Sequence, residues 1–373
     1  MKITVDFTAA IGDRTGIGTY TLELVRALLP IASPDEIRLV VHAFRHPGWH
    51  GKIRRLLGGG VDVTANRFLP HGLLLRTQHA FGRPRLETLF GASDVHHGTN
   101  FLAPPTRRAK VVITVHDLAF VKLADEIPVP HRYARWIGRC VGRADRIIAV
   151  SRATRDDVVE LFDVAPDRVV IVPEGVPPAA EAVPEAEFAE LRRSWGLPDR
   201  FFLFVGTLEP RKNLPLLVRA LDRAAARLDE PFGLLLAGRP GWAMEELHEE
   251  LARCRAPVAT PGFLPPEVKT AALGAATALV MPSRWEGFGL PVLEAFAAGT
   301  PVIASDAGAL PEVAGDAALL APPEDEAAWA DALVRVAEDD DLADRLSERG
   351  VGRAGEFTWE RTARETLEVY RDA

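Results

Sequence analysis

Cysteine is nearly absent: the 373 residues include two, Cys140 and Cys254. One pair cannot staple a chain this long. A disulfide scaffold is therefore excluded, and a reducing compartment, the cytoplasm, is the expected location. Also missing is any charge-free apolar run of about 18 residues, the length a membrane-spanning helix needs. The opening MKITVDFTAA lacks the basic head and apolar core of a leader and reads as a first strand. A basic excess is absent too. The formal net charge is −8, which argues against nucleic acid as a partner. The charge is uneven: up to residue 176 there are 24 Lys+Arg against 18 Asp+Glu, and beyond it 20 against 34. The two halves therefore attract different partners.

Hydrophobic residues at 47% and charged residues at 26% describe a globular protein, and the length suits two domains. Short apolar runs at 2–8, 37–44, 95–97, 110–115, 146–150 and 169–172 read as strands. Amphipathic stretches at 20–29, 133–143 and 154–162 read as helices between them. Residues 176–186, VPPAAEAVPEA, carry no periodicity and read as a linker. A second run follows, with strands at 201–206, 233–237, 257–260, 278–281, 301–304 and 317–320 among helical segments. This alternation predicts an α/β protein with parallel sheets. The expected division is an N-terminal domain over 1–175, a linker over 176–186, a second domain over 187–355 and a terminal helix within 356–373. In such sheets ligands bind beyond the carboxyl ends of the strands.

Four loops carry candidate chemistry. Gly16-Ile17-Gly18 precedes a helix, which suits either a plain tight turn or an anion cradle. It falls short of the dinucleotide fingerprint, and His42 and Arg45 stand where a dehydrogenase would carry its acidic residue. His116-Asp117 follows the strand KVVITV, either as ionisable groups delivered to a site or as a locally bonded pair. Arg211-Lys212 sits where a helix begins. That position disfavours cations unless a phosphate neutralises them, which favours phosphate binding over two solvated cations. Glu286-Gly287-Phe288-Gly289-Leu290-Pro291 enters a helix that carries Glu294. Its freed amides suit anions and hydroxyls, and its two carboxylates suit separate hydroxyls of an extended ligand or simple exposure to solvent. The cations and carboxylates of these last two loops, both in the second domain, match a ligand with a diphosphate and sugars, a nucleotide-sugar.

The ordered segments Val205–Asn213 (VGTLEPRKN), Leu236–Trp242 (LAGRPGW), Pro261–Val268 (PGFLPPEV) and Pro282–Leu320, with a Glu-x7-Glu pair at Glu286 and Glu294, resemble glycosyltransferase family 4. The resemblance covers essentially the whole chain. It implies the GT-B fold, two Rossmann-like domains facing across a deep cleft with the acceptor on the first and the nucleotide-sugar donor on the second, and a retaining hexosyltransferase that needs no metal and no cofactor beyond its donor. It implies donor contacts from Gly16, Gly18, Thr207, Arg211, Lys212, Gly262, Phe263, Leu264, Glu286, Phe288, Gly289, Leu290 and Glu294. His116, Glu286, Arg211 and Lys212 are the expected catalytic group. On this pattern Arg211 and Lys212 hold the diphosphate, Glu294 the ribose, and Glu286 the transferred hexose. The terminal helix resembles the segment that returns to brace the first domain. Two positions depart from the family pattern: Thr207 stands where relatives carry Arg, and Arg284-Trp285 where they carry Leu-Tyr.

Within the resemblance, GTLEPRKN and EGFGLP look like bacterial polysaccharide mannosyltransferases, which implies GDP-mannose as donor and a glycan or lipid-linked acceptor. The alternatives are UDP-glucose or another UDP-sugar, and a non-catalytic nucleotide-sugar- or glycan-binding scaffold. Residues 42–86 hold eight Lys or Arg, among them Arg45, against Asp62 alone. Interleaved with Trp49, Phe68, Leu73 and Phe81, they suit peripheral contact with an anionic membrane on its inner face, an anionic acceptor, or a solvated insert.

Overall fold

A computed structural model of the chain describes residues 1–12, 16–33, 35–44, 48–123, 127 and 131–373, except the side chains of His131 and Arg132. The chain divides into two units. The first comprises Met1–Val121, Val129–Gly175 and Thr358–Ala373; the second comprises Lys122–Pro128 and Val176–Phe357.

The sheet of the first unit contains β1 (Lys2–Asp6), β2 (Glu36–His42), β3 (Asp62–Asn66), β4 (Val95–Gly98), β5 (Lys110–Val115), β6 (Arg146–Ala149) and β7 (Val169–Ile171). Its order is β3-β2-β1-β4-β5-β6-β7, all parallel. The second unit contains β8 (Arg200–Val205), β9 (Phe232–Ala237), β10 (Val258–Gly262), β11 (Ala278–Met281), β12 (Val302–Ser305) and β13 (Leu319–Ala321). Their order is β10-β9-β8-β11-β12-β13, again all parallel. Both sheets have the winding of a Rossmann domain. The strand order reverses between β1 and β4 in one and between β8 and β11 in the other, and loops diverge there to leave room for a ligand. The central strands are apolar because helices cover both faces: β9, β11 and β12 are buried throughout.

Four differences from the sequence reading have local causes. The 45–94 stretch holds helices Trp49–Leu57, His71–Phe81 and Leu86–Phe90 and the strand β3. β3 pairs only with β2 at the sheet edge and is half-buried, so DVTAN carries no apolar signal. Helix Glu185–Ser194 begins inside the stretch expected as linker, with Phe188 as its buried contact. β1 stops at Asp6, whose Oδ1 accepts from the Thr8 backbone N–H at 2.8 Å as the short helix Thr8–Ile11 starts. Helix Gly16–Ile31 begins at Gly16, so the glycine pair forms a helical first turn and not a loop before it. Among the described residues no helix is long and apolar enough to cross a membrane.

The terminal helix Trp359–Arg371 completes the core of the first unit. Its Trp359 ring meets Tyr20 edge-on at 6.0 Å, and Thr362 donates to the Pro173 carbonyl at 2.7 Å. At Gly175 a Cβ would lie 2.5 Å from the Trp359 nitrogen, so only glycine allows the two segments to pass. Tyr370 and His97 are fully buried and bonded, hydroxyl to Nδ1, at 2.7 Å. His97 Nε2 meets Thr114 Oγ1 at 2.7 Å, and Thr114 meets the Tyr20 hydroxyl at 2.9 Å. Burial pushes the His97 pKa down to about 3, so a neutral ring links two hydroxyls. Tyr370→Phe leaves a buried ring nitrogen without its partner and should cost about 1–3 kcal/mol in urea unfolding. An unchanged midpoint would show that this chain of bonds contributes nothing.

Candidate active site

The site in the second unit grows from the switch point. Three loops leave the carboxyl ends of β8, β9 and β10 laced by backbone bonds. Gly206 N–H donates to Ala237 O at 3.0 Å, Leu208 N–H to Arg239 O at 2.9 Å, and Gly238 N–H to Gly262 O at 2.9 Å. A Cβ at Gly238 would sit 1.7 Å from the Gly206 oxygen, which excludes any side chain there. Pro210–Lys212 form one 3-10 turn, and Asn213 takes a left-handed conformation (φ 56°) before helix Leu214–Ala225. The Asn213 amide donates to Pro282 O at 3.2 Å and Pro323 O at 2.6 Å, tying this loop to the neighbouring ones. Arg211 and Lys212 therefore stand in the turn before the helix rather than in its first turn, as their sequence position had suggested.

The loop after β11 brings Glu286 to these cations. Glu286 and Lys212 are each 7% exposed. Glu286 Oε1 accepts from Lys212 Nζ and from Ser283 Oγ (2.6 Å), and Oε2 accepts from Arg211 Nη1 at 3.0 Å. Arg211 also bonds the Trp285 carbonyl at 2.9 Å and pairs with Glu209. Behind the loop, Gly308 (φ 59°) leaves no room for a Cβ, which would fall 2.5 Å from the Glu286 oxygen. Burial by itself would raise the Glu286 pKa, but Lys212 and Arg211, with the Lys212 and Ser283 hydrogen bonds, outweigh it and bring it to about 2. Lys212 is pushed down by its burial and by Arg211, with Glu286 opposing.

Helix Leu290–Ala297 starts at Gly289, which caps it with φ 111°, and Phe288 is buried just before it. Glu294, one turn in, pairs with Lys269 Nζ at 2.6 Å. The two glutamates thus serve different partners. Thr207 is exposed, as is Phe263 beside buried Leu264, and Gly262 has φ 85°. In the first unit, Gly16 is exposed and Gly18 buried in the opening turn of their helix. His116, at the end of β5, is buried: Nδ1 meets Glu174 Oε1 at 3.0 Å and Nε2 meets Thr99 O at 2.9 Å. Asp117 caps the next turn by accepting from the Ala119 N–H at 3.2 Å.

Sequence reasoning missed Ser283, Lys269, Glu209 and Glu174. Lys269 lies 25 residues from Glu294 and Glu174 lies 58 from His116. No local pattern links such pairs; Ser283, three residues before Glu286, and Glu209, two before Arg211, were within reach of a spacing argument.

The depressed Glu286 pKa has a thermodynamic consequence. Its contribution to stability is fully present above the ordinary carboxylate value of 4.5 and is lost as pH falls toward about 2. Glu286→Gln should flatten the acid limb of the stability–pH curve over that window. Identical acid limbs for the two proteins in denaturant titrations would rule out the ion cluster.

Two family profiles match the chain. Glycosyltransferase Family 4 matches residues 14–180, and Glycosyl transferases group 1 matches residues 187–353. The O-antigen chain mannosyltransferase B of Escherichia coli is 30% identical, over 96% of each chain. A D-inositol 3-phosphate glycosyltransferase of Actinosynnema mirum is 37% identical, over 97% of this chain and 93% of its own. Sucrose-phosphate synthase of Thermosynechococcus elongatus superposes with a TM-score of 0.72 at 20% identity, covering 100% of this chain and 98% of that one, a likeness of fold. With matching profiles on both units and full-length relatives, the chain belongs to the family 4 glycosyltransferases of the GT-B fold.

Proposed function

We propose that this chain is a retaining mannosyltransferase that moves mannose from GDP-mannose to a hydroxyl of a glycan or lipid-linked acceptor. The observation that carries the reading is the buried Glu286 held by Arg211 and Lys212 beside the helix that Gly289 opens. Two cations and a helix N-terminus suit a diphosphate. A carboxylate accepts from sugar hydroxyls. Glu294, positioned by Lys269, takes the ribose hydroxyls, and the backbone of Gly262, Phe263 and Leu264 borders the base beside Thr207. Phe288, Gly289 and Leu290 supply amides to the transferred sugar. In the first unit, Gly16 and Gly18 open a helix whose N–H groups suit a phosphate. His116, fixed by Glu174, positions the sugar. The mannose assignment is supported by the Escherichia coli relative.

In this mechanism the diphosphate leaves as an oxyanion whose charge Arg211, Lys212 and helix amides neutralise. Those groups supply what a divalent cation supplies elsewhere, so the reaction proceeds without metal. The acceptor hydroxyl attacks from the leaving-group face, and its proton passes to a departing phosphate oxygen, so configuration is retained. A second reading, transfer to a phosphorylated polyol, is favoured by the D-inositol 3-phosphate glycosyltransferases among the relatives. UDP-glucose or another UDP-sugar is the competing donor.

The proposed acceptor comes from the cytoplasmic membrane face. In the 42–86 segment Phe68 is 87% exposed, Phe81 79% and Leu73 50%. Lys52 is not part of this surface, because its Nζ donates to the Ile11 and Gly12 carbonyls at 2.8 Å, and Arg45 lies outside the described residues. Arg83, Arg85 and Arg107 line the groove of about 700 Å³ that Phe81 and Leu73 border. This mix suits peripheral binding to anionic lipid.

Two experiments test these readings. Calorimetric titration with GDP-mannose, UDP-glucose, UDP-galactose and UDP-N-acetylglucosamine, in chelator and then in magnesium, should show GDP-mannose bound tightest and without metal. Lys212→Ala and Glu294→Ala should each weaken it about 10- to 100-fold. A UDP-sugar preference, a metal requirement or unaltered affinity in the variants would each overturn the corresponding assignment. In cosedimentation, the protein should bind phosphatidylglycerol vesicles over phosphatidylcholine ones, and F68A/F81A should abolish the difference. Equal pelleting of variant and wild type would remove the membrane reading.

A further inference from the structure

The exposed large apolar side chains of the first unit are concentrated in one place. Apart from Met1, those of the described residues are Phe68, Leu73 and Phe81, all on one short segment. Such clustering marks a contact surface, whereas single exposed apolar residues are ordinary. Leu73, Thr77 and Phe81 recur every four residues along helix His71–Phe81 and so share one face. With Leu69 and Leu74 they line the groove of about 700 Å³, a volume within the range of small-molecule sites. Thr77 Oγ1 donates to the Leu74 carbonyl at 2.9 Å, so its hydroxyl is satisfied within the helix and this lining is apolar. The remaining lining comes from the segment 83–88 and from Arg107.

The groove is held open by specific bonds. Gln78, buried on the same helix, donates from Nε2 to the Pro84 carbonyl at 3.1 Å and ties the helix to the turn after it. His79 stacks on Trp136 of helix His131–Arg143, with centroids 4.9 Å apart and planes 2° from parallel, and Arg139 Nη1 donates to the His79 carbonyl at 2.7 Å. Glu87 Oε1 accepts from the Arg107 and Arg108 backbone N–H groups at 2.7 and 3.0 Å, which commits that carboxylate to the backbone. Arg83, Arg85 and Arg107 are exposed, and among the described residues no carboxylate pairs with their side chains. One part of the groove is therefore apolar and the other cationic, the complement of an anionic amphiphile. A second copy of this chain fits worse, because a two-fold contact through the groove would set these arginines against their own copies.

We infer that this groove takes up an acyl chain of one anionic phospholipid, with the lipid phosphate at Arg83, Arg85 and Arg107. The inference rests on the membrane reading above and sharpens it: the first unit grips an individual lipid, one per groove, in addition to lying on a charged surface. Recognition needs both parts of the ligand, the chain for the helix face and the phosphate for the arginines.

The test is calorimetric titration of the full chain with dihexanoyl-phosphatidylglycerol below its critical micelle concentration, so that no bilayer is present. This lipid should bind at one site per chain, about tenfold tighter than dihexanoyl-phosphatidylcholine. Inorganic phosphate at equal concentration should not displace it. Leu73→Asp, which places a charge on the apolar face, and R83A/R85A should each weaken it about tenfold or more, with thermal melts checking the fold. Thr77→Trp, which fills the groove with an apolar ring, replaces Leu73→Asp if the melt drops. Absent monomer binding, equal affinity for the two headgroups, displacement by phosphate, or affinity indifferent to the variants overturns the inference. So does a dimer in sedimentation velocity that Leu73→Asp dissociates, which would assign the groove to a second copy. The membrane reading fails separately: vesicles that do not pellet the protein, with monomer binding intact, condemn that reading alone. Pelleting with phosphatidylglycerol vesicles and no monomer binding condemns this inference alone.

Discussion

A carboxylate almost out of reach of water has to be matched by donors, and at Glu286 the match comes from three side chains on two loops. Lys212 and Arg211 approach from the loop after β8, and Ser283 from the loop that carries Glu286 itself. Desolvation alone would favour the neutral acid; two cations and a hydroxyl reverse that. The cluster therefore holds charge and shape together. It closes the loops of β8 and β11 onto each other across 74 residues of sequence. Those strands are neighbours in the sheet, which puts the two loops at the point where the strand order reverses. Glycines 238 and 308 then let backbone press against backbone around it.

The first unit solves a similar problem with different chemistry. His116 is buried, and each of its nitrogens has an acceptor in front of it, Glu174 and the Thr99 carbonyl. The ring is held in place as firmly as Glu286, although by a residue at the very end of the first unit's central segment. Glu174 is followed by Gly175, where the chain passes against Trp359 of the returning helix. The setting of His116 and the seating of the terminal helix thus share one short stretch of backbone.

Membership of family 4 tells what kind of ligand these groups meet, while their arrangement bears on which one. The relatives act in different settings, one on O-antigen chains and others on inositol 3-phosphate, by their names. A fold common to all of them cannot choose among acceptors. Choice has to come from the side chains that line each member's acceptor site.

Much of the fold was legible from residue pattern. Strands such as FFLFVG and KVVITV stand out because parallel strands covered on both faces must be apolar throughout. The Glu-x7-Glu spacing and Arg211-Lys212 were visible as an oddity of charge beside helix starts. The edge strand Asp62–Asn66 and the helices around it were not, because half-exposed elements carry no strong period. The linker reading failed at Glu185 because a proline that ends one segment also opens a helix. Sequence alone thus determined the alternation of elements, the loops that bear unusual charge and the family. Tertiary structure alone decided that Glu286 meets Lys212, that Lys269 holds Glu294, and that Glu174 faces His116. Those pairings are long-range: they depend on strand order and on which loop ends become neighbours, and desolvation then makes each buried charge demand the partner it finds there.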